Sequence, residues 1–341
     1  MPNLPLSFLL TLFALTVLAT EALRRWTLHQ AILAQPTERG MHSTPTPTGG
    51  GLAFALVTLA GWGYFAWQTK FPELYGIIAG ALALALIGAW DDRHPLPARL
   101  RLGLYALVAV LSVGWVQASW RHPATPLPIN GGWVSAILVF WLLAMMNSFN
   151  FMDGLDGLTG LQAGIASIGM ALLLPNAQLV ALAQILAVCV GAFLLFNWNF
   201  PLHRARIFMG DSGSVFLGYC IGILPLLTAQ NQPLLDWHRW GICILPVWAF
   251  LFDTGFTLLR RIARRENLLQ AHRSHLFQRL ILAGKFAHWQ VSLLYGGFAL
   301  AGVWVAWQVW LGHWQALLLL LGLAIGLVGW VAHLERKETL G

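Results

Sequence analysis

Charge is scarce in this chain: 10% of its 341 residues are Asp, Glu, Lys or Arg, while 58% are hydrophobic. A soluble globular domain carries about 25% charged residues, so that class is excluded. Cysteine is also rare. Cys189, Cys220 and Cys243 stand singly inside apolar runs, which argues against a disulfide framework and a thiolate metal site. There is no internal repeat and no low-complexity segment. Polar stretches long enough to form a separate domain are missing too. The longest, 260–288, mixes basic residues with Leu268, Leu269, Leu276, Phe277, Leu280 and Ile281, a composition that suits an amphipathic helix at a membrane surface.

What the chain does have is apolar runs of membrane-crossing length. Eleven can be read, at about 4–23, 50–67, 74–90, 102–118, 132–149, 158–175, 178–198, 213–229, 239–259, 289–311 and 314–332. The expected fold is all-α: a polytopic membrane helical bundle of about 11 spans, forming one integral-membrane domain over residues 1–341. The first run has no Lys or Arg before it and Arg24 and Arg25 after it. That charge order is wrong for a cleaved signal and reads as a retained helix with its amino terminus outside. Alternating the runs from there puts 17 of the 20 basic residues in cytoplasmic segments and only Lys70, Arg121 and Arg239 outside. This is the asymmetry of the positive-inside rule, and it places the carboxyl terminus in the cytoplasm. The net charge of +7 is then orientation charge and needs no nucleic-acid partner.

The chemistry centres on Asn147-Ser-Phe-Asn-Phe-Met-Asp-Gly-Leu-Asp-Gly157, between two apolar runs. A polar turn needs one Asx and one Gly. Two Asn and two Asp at the end of a membrane segment point instead to a functional cavity. Asp91-Asp92 and Phe208-Met-Gly-Asp-Ser-Gly-Ser214 fall on the same predicted cytoplasmic side, so five of the 13 acidic residues share one face. Taken alone, Asp91-Asp92 also suits a capped loop, and Asp211 a helix N-cap. Those readings leave the common side unexplained. Clustered carboxylates and amides suit a hard cation such as Mg²⁺ or Mn²⁺. On the same face Arg93, Arg99, Arg206, Arg273 and, if protonated, His272 and His275 suit phosphates. Together these are the parts for phosphoryl transfer. Asp253, inside the ninth run, is expected to play a structural part with a buried partner. Two other classes compete. A secondary transporter would place its charge near the midplane, often with internal repeats. A non-catalytic lipid-carrier binding protein would not need the carboxylate set.

With these motifs in family order over residues 42–285, the chain resembles the polyprenyl-phosphate N-acetylhexosamine-1-phosphate transferases. The matching pieces are Pro45-Thr-Pro-Thr-Gly-Gly50, Asp91-Asp92, Asn147-x-x-Asn150-x-x-Asp153-Gly-x-Asp156-Gly-Leu158, Phe208-Met-Gly-Asp-Ser-Gly-Ser214 and a cytoplasmic histidine motif. The resemblance implies attack by a polyprenyl phosphate, undecaprenyl phosphate in bacteria, on the β-phosphorus of a UDP-N-acetylhexosamine, at the cytoplasmic face of the inner membrane. It implies that Asp211 and Asn150 hold Mg²⁺, with Mn²⁺ as a substitute. It puts Asp91, Asp92, Asp153, His272 and His275 in the catalytic set, and Asn147, Gly154, Asp156, Arg206, Arg273 and His42 in substrate binding. Many members carry adjacent histidines, whereas this chain reads Ala271-His-Arg-Ser-His-Leu-Phe-Gln-Arg279. That version is similar to the O-antigen and exopolysaccharide initiators rather than the muramoyl-pentapeptide enzymes. The sugar and a homodimeric state are left open.

Overall fold

The structure is a computed structural model, and it describes residues 4–35, 44–119, 132–174, 176–198, 205–228, 237–268, 270 and 272–340. Each of the eleven apolar runs is helical over its described residues. With no water in the bilayer core, a helix is how a single apolar segment satisfies its own N–H and C=O groups. In chain order they form α1 (Leu6–His29), α2 (Gly51–Thr69), α3 (Glu73–Asp91), α4 (Ala98–Ser119), α5 (Gly132–Met152), α6 (Leu158–Leu173), α7 (Ala177–Asn197) and α8 (Asp211–Thr228). The ninth run divides into α9 (Trp237–Ile244) and α10 (Trp248–Ala263) at a 3-10 turn, Leu245–Val247, where Pro246 has no N–H to give. A short α11 (Leu276–Leu282) follows, then α12 (His288–Trp310) and α13 (Leu317–Leu340). Eight segments are long and apolar enough to cross a membrane: α1, α3, α4, α5, α7, Gly241–Ala263, α12 and Trp314–Glu338. Leu158–Leu173 and Asp211–Leu227 are apolar but shorter, and α2 is not among the eight. The chain is an integral membrane protein.

α8 is the centre of the bundle, packed between α3 and α5. Val215, Phe216, Leu217, Tyr219, Cys220 and Ile221 on it are fully enclosed, whereas α1 exposes leucines along its length and α13 exposes leucines at its start and then Ile325 and Trp330. The first turn of α8 is pressed against its neighbours. A Cβ on Gly51 of α2 would lie 2.2 Å from the Gly213 Cα, and one on Gly88 of α3 2.4 Å from the Ser212 nitrogen. Small residues permit this approach of backbones, as in other membrane helix pairs.

The regular structure outside helices, among the described residues, is a two-residue antiparallel pair, Leu33–Ala34 with Thr46–Pro47. It lays the Pro45–Gly50 segment along the approach to α8. The Phe208 N–H donates to the Pro47 carbonyl (2.8 Å), and the Gly50 and Gly51 N–H groups donate to Phe208 (2.9 Å) and Met209 (2.8 Å) carbonyls.

Several helix ends converge at the end of the bundle that collects the basic residues. Arg206 pairs with Glu21 of α1 at 3.3 Å, and Arg93 lies over the Trp26 ring at 4.7 Å. The 260–288 stretch departs from the surface helix expected of it. Among its described residues it begins as the end of α10, and its one separate helix is the seven residues of α11; Leu276, Phe277 and Leu280 are buried in the bundle. Arg279 holds this piece to α13 through Glu335 (2.8 Å) and Glu338 (2.9 Å). Leu268 is exposed. The stretch folds back onto the protein because its apolar residues find a protein surface to cover.

Candidate active site

Asp91 is the last residue of α3 and Asp211 the first of α8. Both carboxylates grip one guanidinium: Arg101 Nη1 lies 2.8 Å from Asp91 Oδ2 and 3.1 Å from Asp211 Oδ2. The other Asp211 oxygen accepts from the Asn150 amide at 2.8 Å. Asp91 Oδ1 accepts from the Leu96 N–H, which closes the turn between α3 and α4. Asp92 points the other way and caps α8, accepting from the backbone N–H of Asp211 (2.7 Å) and Ser212 (3.3 Å). Gly210 makes room for it. Its φ is +73°, and a Cβ there would sit 2.5 Å from Asp92 Oδ2. A carboxylate at a helix amino terminus meets both the free amides and the positive end of the helix dipole. Burial nevertheless pushes the Asp92 carboxyl up to about 6, against those two amide bonds.

Two cavities flank this centre. One, of about 320 Å³, lies among α4, α5, α10 and the histidine stretch, with Arg101, Asn147, Asn150, His272 and His275 beside apolar Leu102 and Leu258. The other, of about 300 Å³, is bounded by Asp92, Asn150, Asp153, Gly154, Asp156 and Asp211. Asn150 and Gln278 belong to both walls. Asp153 is pushed up to about 7 by burial, with the charges of Asp92 and Asp156 adding to it. Asp156 also accepts from the Ala205 N–H at 3.5 Å. Asn147 turns its amide back to the Leu143 carbonyl at 2.7 Å.

The His272 and His275 rings stack 4.9 Å apart. Burial, with the charge of His275 next, holds His272 down at about 4. At neutral pH it is therefore a neutral hydrogen-bonding group, not the cation expected for phosphate. Its Nδ1 faces the Ser274 hydroxyl at 2.7 Å. Arg273 borders neither of the two cavities. Arg206 is tied to Glu21 and lies over the Phe196 ring at 5.0 Å, and it also borders neither cavity. Arg99 is exposed. His42 lies outside the described residues. The guanidinium actually at the centre is Arg101, which in the sequence counted only as orientation charge. Its signal was its place: the first turn of α4, ten residues after Asp91 across a Pro-x-Pro turn. Gln278, on the wall shared by both cavities, carried no signal of its own.

Among the described residues, no three His, Cys, Asp or Glu side chains form a ready metal cage. The donors at the centre nevertheless fit a hard cation. Two carboxylates from different helices meet on one positive charge, and turning the Asn150 amide over presents its oxygen to the same point. Asp211, Asn150 and Asp91 are the residues that would hold it.

The glycosyl transferase family 4 pattern matches residues 74–229, which include Asp91, Asn150 and Asp211. The chain is 31% identical over 312 residues to a phospho-N-acetylmuramoyl-pentapeptide-transferase of Synechococcus, covering 86% of this chain and 88% of that one. It is 29% identical over 302 residues to a probable undecaprenyl-phosphate N-acetylglucosaminyl 1-phosphate transferase of Bacillus subtilis (86% and 82% covered). It is 26% identical over 342 residues to the undecaprenyl-phosphate alpha-N-acetylglucosaminyl 1-phosphate transferase of Escherichia coli (94% and 89%). With the acid centre, the paired cavities and these full-length likenesses together, the chain belongs to glycosyl transferase family 4.

Proposed function

We propose that the protein transfers a sugar 1-phosphate from a UDP-N-acetylhexosamine to undecaprenyl phosphate, as the initiating step of O-antigen or another cell-envelope polysaccharide. The observation that carries this reading is the meeting of two differently lined cavities at Asn150, beside Asp211. The cavity with Leu102 and Leu258 on its wall suits an acceptor whose phosphate is wet and whose chain is in lipid. The cavity with Asp153 and Asp156 suits the uridine. A phosphate oxygen of the lipid attacks the β-phosphorus, and the bond from that phosphorus to the oxygen bridging it to the α-phosphate breaks. The products are polyprenyl-diphospho-sugar and UMP. The attacking phosphate is largely ionised at neutral pH, its second pKa being about 6, so no strong base is required.

Mg²⁺, or Mn²⁺ in its place, held by Asp211 and Asn150 with Asp91 beside them, would supply charge neutralisation on the diphosphate. Arg101 faces the same point and shares that work with a fixed guanidinium. Asp92 holds the start of α8, and hence Asp211, in place. Asp156 orients the nucleotide. His272 and His275 line the acceptor cavity. The Ala271–Arg279 motif favours an O-antigen or exopolysaccharide donor, with UDP-GlcNAc, UDP-FucNAc and UDP-QuiNAc as candidates. The 17-to-3 distribution of basic residues supports a site on the cytoplasmic face of the inner membrane.

Purified protein with undecaprenyl phosphate, Mg²⁺ and a panel of UDP-sugars should release UMP with at least one donor. No UMP with any donor overturns the reading. Cysteine labelling should reach residues 262–286 only from the cytoplasm, and periplasmic labelling there overturns the orientation.

A further inference from the structure

Asp253 is the most enclosed charge in the molecule's functional half. It lies within α10 at 0% exposure, and every group around it donates to it. His275 Nδ1 is 3.1 Å from Oδ1. The Leu276 N–H donates to the same oxygen at 2.9 Å, and the Thr257 hydroxyl at 3.2 Å. On Oδ2, the Phe277 N–H donates at 3.0 Å and the Tyr295 hydroxyl at 2.5 Å. One side chain thus joins α10, the first turn of α11 and α12.

A carboxylate buried at this depth costs heavily unless it is fully bonded. A less demanding residue would serve if helix packing were its only task. What the carboxylate does that an apolar residue does not is settle the histidine stretch. α11 is seven residues long, too short to hold its shape unaided. Its first two N–H groups are orphans by construction, and Asp253 takes both from a neighbouring helix. An ionised carboxylate only accepts, so the His275 proton facing it sits on Nδ1, and the other ring nitrogen, Nε2, is directed away from Asp253. His275 also lines the acceptor cavity.

We propose that Asp253 is a positioning residue, fixing the tautomer and angle of His275 and pinning the histidine stretch to the membrane helices. The inference rests on the function proposed above. Groups that orient a metal-bound histidine from behind are worth about tenfold to a hundredfold, and the same leverage is expected on His275. Asp253→Asn should therefore lower kcat for UMP release by that factor, with the KM for UDP-sugar changed less than twofold. Tyr295→Phe removes one of the two donors to Oδ2, leaves Oδ1 untouched and should cost less than Asp253→Asn. The decisive measurement is a double-mutant cycle with His275→Ala. If Asp253 acts through His275, the double variant is no slower than His275→Ala alone. Multiplying losses would mean a merely structural role and would overturn the proposal.

Hydrogen exchange gives an answer that does not depend on turnover. In Asp253→Asn, peptides covering 272–282 should exchange faster while those of α5 and α8 do not change. If Asp253→Asn does not fold, the same comparison is made on Tyr295→Phe, where Phe277 should show the larger change. Unchanged exchange at 272–282 overturns the proposal. No UMP from the wild type with any donor would instead remove the function, and the exchange result would still decide whether Asp253 pins the stretch.

Discussion

Two acidic centres lie at this end of the bundle, and they are built oppositely. At the first, Asp91 and Asp211 share Arg101 across 2.8 and 3.1 Å, with cavities on both sides. At the second, Asp253 is closed off by two backbone amides, a histidine and two hydroxyls. In the first, the two acids are joined through one long cationic side chain on a cavity wall, so the oxygens that face Arg101 can change partners. The second has no oxygen left to offer. Burial and charge alone do not mark a site. The mark is a carboxylate whose present partner is replaceable.

The sharpest way to break that contrast is to neutralise one acid in each centre. Asp211→Asn should reduce UMP release by about a thousandfold, as loss of a principal charge-stabilising group does, and EDTA should do the same to the wild type. Full activity in EDTA would remove the metal from the proposed chemistry. Asp92→Asn is next, with kcat expected to fall about tenfold to a hundredfold, because the amide accepts more weakly from the first turn of α8 and lets Asp211 drift. Wild-type kcat in this variant would show that α8 needs no cap. A smaller and different effect is expected from Asp156→Ala: the KM for the UDP-sugar should rise about tenfold while kcat falls less, the pattern of binding shared by ground and transition states. A kcat-only loss would move Asp156 from the nucleotide to the reacting phosphates.

The smallest effect concerns pH. Asp153, held up to about 7, binds a proton more tightly folded than unfolded, where a carboxyl sits near 3.9. Stability is then highest below about 4 and falls as pH rises towards 7. In EDTA the detergent-solubilised protein should lose about 2–4 °C in Tm across that window, and Asp153→Asn should flatten the slope. A Tm that rises from pH 5 to pH 7 equally in both would contradict the shift.

Much of this fold was legible in the chain because lipid leaves so few choices. Each of the eleven apolar runs became helical over its described residues, and the break in the ninth falls where Pro246 interrupts the ladder. The meeting of Asp91, Asn150 and Asp211 was also legible, since alternating spans put all three at one end. Arg101 was not, because a basic residue at a helix start has two explanations and orientation charge accounts for it fully. Nor was the path of the histidine stretch. Its register depends on Asp253 reaching His275, 22 residues on, and Tyr295, 42 residues on. No local pattern encodes such distances. The apolar residues of α11 misled for a related reason: their periodicity says that one face is covered, but not whether protein or lipid covers it.

The start of α8 is a ready docking point for an anion, since free amides and a helix dipole face outward there. The protein has filled that point with its own Asp92. The two amides of that turn are thus spent on a carboxylate of the protein itself, and any anion that enters meets a fixed negative charge where many nucleotide-binding folds offer an open helix end.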